Sequence, residues 1–299
     1  MKEKWAKAAL DWMGALFLVS VVALGFTGEW RSPAGAEVFA EGDALPSAAT
    51  DGKDPFLIVI DAGHGGDRLG TVSADGVAEK DLALTLARRL RRELSRYPVR
   101  VLMTRETDIH LELEDRIELA NRVRADAFVS IHLNAMPGAR LRLRTRGIET
   151  YFLARRASGT RAQRVANVEN GAENEPIRAV DDLSFILADL LETAAHREAS
   201  QLAHDVHARL VDGLGARDRG VHQAPFRVLR GARVPAILVE VGFLSHPQES
   251  RLMRTGAYQR KIAASMARGI VEFLAARDRL PRDSKRPNRA RTVAPVPRS

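Results

Sequence analysis

The chain has 299 residues, 45% of them hydrophobic, which is enough for one large core or two small ones. It contains no cysteine, so disulfides and thiolate metal ligands are excluded and any metal must be held by His, Asp or Glu. The formal charge of +8 does not indicate a nucleic-acid partner. Residues 277–299 hold eight Arg or Lys against Asp278 and Asp283, which places most of the excess in a Pro- and Arg-rich tail without a reader motif.

At the amino end, Lys2, Lys4 and Lys7 precede an apolar run at 14–26, and Ala34, Gly35 and Ala36 follow it. A basic region, an apolar region and small residues at a cleavage position form the pattern of a secretory signal peptide over residues 1–36. The run is shorter than the ~20 residues a membrane span needs, although residues 8–12 would lengthen it into an uncleaved anchor. An exported protein, periplasmic or wall-associated, is expected. Residues 37–54, rich in Ala, Gly, Ser and Asp, read as a linker.

From 55 to 276 the pattern alternates. Residues 56–60 are apolar and read as a buried strand, which Asp61 ends; Gly63, Gly65 and Gly66 then surround His64 in a tight loop. In residues 79–96, Leu82, Leu86, Leu90 and Leu94 recur at i, i+4 and form one helical stripe, closed by Pro98. Residues 99–104 read as a second strand. Residues 111–124 form a second amphipathic helix, with Leu113, Ile117, Ala120 and Val123 on one side. AFVSIH, at 127–132, is a third strand. This alternation predicts right-handed βαβ units and an α/β fold with a mainly parallel sheet flanked by helices on both faces.

Residues 148–153 add a strand, and 158–210 are helical in composition. Leu183, Ile186, Leu187, Leu190 and Leu191 make one stripe there, continued by Leu202, Ala203, Val206 and Leu210. Residues 226–229 and 236–241 return to strand-like composition, and 258–275 read as a closing helix. The body is thus one domain carrying a helical insertion, at about 158–197. The tail at 277–299 reads as disordered and solvated, with transient contact to a membrane or an anionic wall polymer as its expected use.

His64 leaves the carboxyl end of its strand, where ligands bind in open α/β sheets. Glu79 opens the first helix and His132 ends the third strand, so all three converge at that edge if the sheet is parallel. Two imidazoles and a carboxylate leave one position open on Zn²⁺, a set used for hydrolytic sites. Glu240 lies inside the apolar strand ILVEVGF, where a carboxylate is expensive to bury without a partner. A general-base role would account for it.

Each of these residues has a plainer reading taken singly. His64 could be a structural residue of its glycine loop, Glu79 suits a helix N-terminus, His132 could be a satisfied core histidine, and Glu240 could pair with Arg230 or Arg233. Four coincidences are a weaker explanation than one site. His204 and His207, flanked by Asp205 and Arg209, read as a solvated helix face, and His110, His196, His222 and His246 have no evident partners. Arginines 140, 142, 144, 146, 155, 156, 161 and 164 read either as a soluble loop or as a basic rim for an anionic substrate.

IDAGHGG, the Glu79–Lys80 pair, SIHLNA around His132 and LVEVGFLSH around Glu240 together resemble the zinc-dependent N-acetylmuramoyl-L-alanine amidases of the Amidase_3 family, over about 56–273. The resemblance implies a twisted, mainly parallel sheet and a single catalytic domain. It implies one Zn²⁺ on His64, Glu79 and His132, with Glu240 as the catalytic carboxylate and Asn134 as a substrate contact. The implied reaction is hydrolysis of the amide between N-acetylmuramic acid and the L-alanine of the peptidoglycan stem peptide, in septal splitting or remodelling. Ala62 stands where the family often has proline, which would loosen the loop without touching a ligand. Cell-division members carry a similar helical segment whose glutamate fills the open metal position. In VENGAEN that residue is Glu169, followed by Asn170. The segment would then be regulatory, the amidase autoinhibited, and the activator a LytM-domain protein.

Overall fold

The computed structural model describes residues 55–171 and 182–279. The signal peptide and linker read at 1–54, and the tail from 280 onward, lie outside the described residues. Six strands form one sheet: β1 (Phe56–Ala62), β2 (Val99–Met103), β3 (Ala127–Asn134), β4 (Ile148–Leu153), β5 (Asp218–Ala224) and β6 (Ala236–Phe243). The helices are α1 (Glu79–Leu94), α2 (Leu113–Arg122), α3 (Ala139–Arg142), α4 (Thr160–Glu169), α5 (Asp182–Leu214), α6 (Pro247–Met253) and α7 (Gly256–Arg279).

The strand order is β2-β1-β3-β6-β4-β5. β1, β2, β3 and β6 run parallel, β4 is antiparallel to β6, and β5 runs with β4. The sheet is therefore mainly parallel, as the alternating pattern requires. The reversal of β4 matters for the site: β4 begins at the edge where β6 ends, and Glu149 lies opposite Glu240 in register.

Strand alternation divides the side chains between two cores. Ile58, Ile60, Val129, Ile131, Ile237 and Val239 face α1, α5 and α7. Val59, Phe128, Tyr151 and Leu238 face the other way, toward α2 and α4. The leucine stripe of α1 is buried as its spacing predicts, and truncating a fully buried member such as Leu90 would cost about 2–5 kcal/mol.

Two expectations fail. Residues 226–229 do not form a strand but a 3₁₀ turn at Arg227–Leu229. A strand that was not read, β5, runs through DRGVHQA; it sits at the sheet edge, pairs only with β4 and is half-buried, so it carries no apolar alternation. The long helical stretch is also divided: α4 packs on one face of the sheet and α5 on the other. Leu202, Ala203, Val206 and Leu210 of α5 are fully buried in the main core, so this helix begins within the insertion and ends as framework. Among the described residues, no helix is long and apolar enough to cross a membrane.

Candidate metal centre

The polar groups of the site continue the α4-facing side of the sheet. Asp61 and Ser130 pair in register on β1 and β3, His132 and Asn134 follow two and four residues later, and Glu240 pairs with His132 across β6. Apolar side chains on this face thus give way to titratable ones as the parallel strands reach their carboxyl edge. His64 follows β1 with φ 59°, a left-handed conformation uncommon outside glycine. Gly63 lets the loop pass over the second histidine, since a Cβ there would stand 2.5 Å from His132 Cε1. Gly70 is equally confined, with a Cβ 2.5 Å from His64 Cδ2 and 2.6 Å from Glu79 Oε2.

Two buried arginines hold this loop by its carbonyl oxygens. Arg105 donates to Ala62 O at 2.9 Å and Gly63 O at 2.8 Å. Arg116 donates to Ala62 O and His64 O, both at 2.9 Å. Fully buried Asp61 accepts from Arg116 (2.9 Å), Thr104 (2.6 Å) and Ser130 (2.6 Å). Burial disfavours its charge, but Arg116 and the two hydroxyls outweigh that and hold its pKa below the ordinary 3.8. The loop is therefore clamped at Ala62, contrary to the loosening expected from the missing proline.

Glu79 is fixed just as closely. Its backbone N–H donates to Thr71 O at 2.8 Å, and its two carboxylate oxygens accept from the N–H of Leu133 (2.9 Å) and of Thr71 (2.8 Å). Its Oε1 lies 3.0 Å from His64 Nε2 and 3.1 Å from His132 Nδ1. From the end of α4, Glu169 Oε2 closes the group at 2.8 Å from His132 Nδ1 and 3.3 Å from His64 Nε2. These four residues offer donor atoms that all lie within 4.8 Å of one another, a group able to hold a metal ion.

The orphaned atoms identify the centre of the group. His64 Nε2 and Glu169 Oε2 are buried without a hydrogen bond of acceptable geometry, although they are 3.3 Å apart. Such crowding without hydrogen bonding is expected where ligands aim at a common cation rather than at each other. The electrostatics agree. Burial opposes charge on His64, yet Glu79 and Glu169 outweigh it and lift its pKa to about 9. Burial likewise opposes charge on His132, and Glu169 and Glu79 raise its pKa well above 6.5. The two carboxylates create a site that demands positive charge.

Glu240 is wholly buried, and neither of its oxygens has a hydrogen-bond partner. It does not pair with Arg230 or Arg233. Burial, and then the Glu169 carboxylate, raise its pKa well above the ordinary 4.5. Asn134, expected to contact substrate, is buried and donates one amide N–H to Glu149 at 2.7 Å. Glu149 was missed in the sequence. Fully buried beside Glu240, it accepts from Asn134, Tyr151 (3.0 Å), Arg219 (3.0 Å) and Arg161 of α4. The signal was present, because IETYFL places a carboxylate in an apolar strand as ILVEVGF does.

The remaining histidines have partners. His207, read as solvated, is buried, within hydrogen-bond distance of Thr150 (3.1 Å) and Asp218 (2.9 Å); its neighbour His204 is exposed as expected. His110 lies 3.2 Å from both Asp67 and Glu112. His196 packs on Phe152, His222 bonds Arg219 O at 2.7 Å, and His246 caps α6 by accepting the N–H of Glu249. None of these groups approaches the four-residue cluster as a further ligand.

Known proteins resemble this chain over most of the described residues. The N-acetylmuramoyl-L-alanine amidase family, Amidase_3, is matched over residues 58–272. The chain is 30% identical over 239 residues to N-acetylmuramoyl-L-alanine amidase AmiA of Escherichia coli K12, covering 78% of this chain and 81% of that one. It is 33% identical to AmiC of Neisseria meningitidis serogroup B, covering 77% of this chain and 55% of that one. Among solved structures, the N-acetylmuramoyl-L-alanine amidase from Clostridium difficile 630 superposes with a TM-score of 0.58 at 31% identity, over 75% of this chain and 99% of that one. The chain belongs to the N-acetylmuramoyl-L-alanine amidase family.

Proposed function

We propose that the protein is a zinc-dependent N-acetylmuramoyl-L-alanine amidase that hydrolyses the amide between N-acetylmuramic acid and the L-alanine of peptidoglycan stem peptides. The observation that carries this reading is the convergence of four donor atoms, two of them orphaned, beside an unpartnered buried Glu240. His64, Glu79 and His132 would hold the ion, in the ligand chemistry that suits Zn²⁺. When bound, the ion supplies Lewis acidity. Glu240 takes a proton from the attacking water and returns it to the leaving amine of L-alanine. Asn134, anchored to Glu149 by one amide N–H, keeps a second N–H and its Oδ1 for the proposed contact to substrate.

In this reading the resting enzyme is autoinhibited. Glu169 occupies the position a substrate or water needs, and α4 covers the face on which Glu240 lies. An activator must bind the open arrangement better than the closed one, by as much as the closed one is favoured. A LytM-domain protein is the proposed activator. The signal pattern at residues 1–36 supports an exported enzyme, periplasmic or wall-associated, acting in septal splitting or remodelling.

Mass spectrometry of digested wall material tests the reaction. Free stem peptides with intact L-alanine amino termini are expected, and their release should stop on chelation. Peptides shortened at cross-links while still attached to glycan would instead mark a carboxypeptidase-like hydrolase.

A further inference from the structure

Arg144 and Arg146, two of the arginines read as a basic rim, meet Arg217 and Arg251 around a groove of about 480 Å³, with His246 and Leu143 also in its wall. Among the described residues, none of these four arginines pairs with a carboxylate. The one side-chain hydrogen bond of Arg146 goes to Gln248, at 3.4 Å. The nearby carboxylate of Glu249 is turned inward, accepting the N–H of Gly147 (2.8 Å) and of Phe243 (2.7 Å). Burial holds the His246 pKa below 6.5, and Arg146 and Arg251 depress it further, so the wall is cationic without that ring's charge. Four unneutralised guanidiniums around one concavity repel each other, and an anion with paired oxygens is the ligand that relieves this.

The groove lies on the catalytic edge of the sheet. Arg146 stands three residues before Glu149, which is opposite Glu240 in register. Arg217 O accepts the N–H of Ile148 at the start of the same strand, at 3.0 Å. With a rise of ~3.3 Å per residue and ~5 Å between strands, the groove is on the order of 10–15 Å from Glu240. An extended peptide covers ~3.5 Å per residue. A chain whose first amide lies at Glu240 therefore brings carboxylates three to five residues further on to these arginines.

We propose that this groove is a subsite for the carboxylates of the stem peptide, gripping the leaving portion of the substrate by its acidic distal end. The proposal rests on the amidase reading for its substrate but not for its test. A flat anionic lipid surface fits less well, because the arginines line a concavity and not a plane.

The probe is a free stem peptide beginning with L-alanine, titrated by NMR or calorimetry into the full chain, and compared with the same peptide amidated at its C-terminus. The wild-type chain should bind the free acid at least tenfold more tightly than the amide, with affinity falling as salt rises. The triple variant R146Q/R217Q/R251Q, which alters exposed side chains only, should lose that preference while keeping its melting temperature. Equal binding by wild type and triple variant, no preference for the free acid, or no saturable binding by wild type would each overturn the proposal. Loss of binding to phosphatidylglycerol vesicles in the variant, with peptide binding unchanged, would reassign the groove to a membrane. Wall digestion measured in parallel separates the two readings: if no amide is hydrolysed the amidase reading fails, and the peptide comparison still judges the groove.

Discussion

Replacing Arg161 by glutamine should loosen α4 and raise the basal activity. Arg161 donates through Nε to Glu149, from the first turn of the helix whose last residue is Glu169. Its guanidinium also stands 5.3 Å from the centroid of the Phe243 ring. A hydrogen bond between charged partners is worth about 1.5–3 kcal/mol, and an exposed cation–π contact about 0.5–1. Against this, Arg161 Nη2 is buried without a partner, which costs about 1–3 kcal/mol. Glu149 keeps Arg219, Asn134 and Tyr151, so it is not stranded. The net loss is about 1–2 kcal/mol, a shift of roughly 5–30-fold toward the open arrangement. Dye release from labelled peptidoglycan without activator should rise by that order, and amide exchange in residues 160–169 should quicken in step. R219Q is the control, since it removes the same kind of bond from β5, which does not travel with α4. A basal rate and exchange unchanged within twofold in R161Q, or an equal rise in R219Q, would refute the latch.

Four further outcomes follow. G63A drives a methyl into the His132 ring, 2.5 Å from Cε1; metal content measured by mass spectrometry should fall together with activity, and full retention of both would show that the loop can yield. E240Q should reduce hydrolysis by about 10²–10⁴-fold without altering metal content, whereas near-normal turnover would remove Glu240 from the chemistry. Zinc at a hundred times its dissociation constant should add about 2.7 kcal/mol to stability, some 5–10 °C in melting temperature for a domain of this size; the same shift in H132A would place the ion elsewhere. D61N should cost about 3 kcal/mol or more, by leaving Arg116 buried without its anion. The wild-type advantage is present above pH 3.8 and lost as pH falls through the depressed native pKa of Asp61, so melting curves of the two proteins should converge in acid; a gap that stays constant or widens there contradicts the assignment.

Residues became legible in the sequence where they broke a local pattern. His64 was marked by its glycines, Glu79 by opening a leucine-striped helix, and Glu240 by interrupting an apolar strand. What the sequence hid was partnership. Arg116 sits on the buried side of α2, three residues after Leu113 and beside Ile117, yet nothing local says that this face ends on the loop of His64. Arg105 lies two residues past the end of β2, and its role depends on a parallel register that only the fold supplies. β5 escaped because an edge strand buried on few sides needs no apolar repeat. His207 is buried although Asp205 and Arg209 flank it, because its helical period puts it on the face of Ala203, Val206 and Leu210.

The two sides of the centre are held with unequal strength, and the proposed autoinhibition depends on that inequality. On one side, the carbonyls of Ala62, Gly63 and His64 are gripped by two buried arginines, of which Arg116 is tied to Asp61, itself held by Thr104 and Ser130. Moving that loop would strand several buried charges at once, each worth several kcal/mol. On the other side, α4 buries only Ala162, Val165 and Ala166, whose combined apolar contribution is a few kcal/mol. It is fastened at one end by Arg161 and at the other by Glu169, 2.8 Å from His132 Nδ1, and by Asn170, which bonds Pro225 O at 3.0 Å and the N–H of Arg227 at 2.8 Å. A helix held by small side chains and two polar ends can leave at a free-energy cost within reach of one protein contact. On the proposed opening, His64, Glu79 and His132 would stay in place. In the proposed autoinhibition, Glu169 is the member of the four that departs.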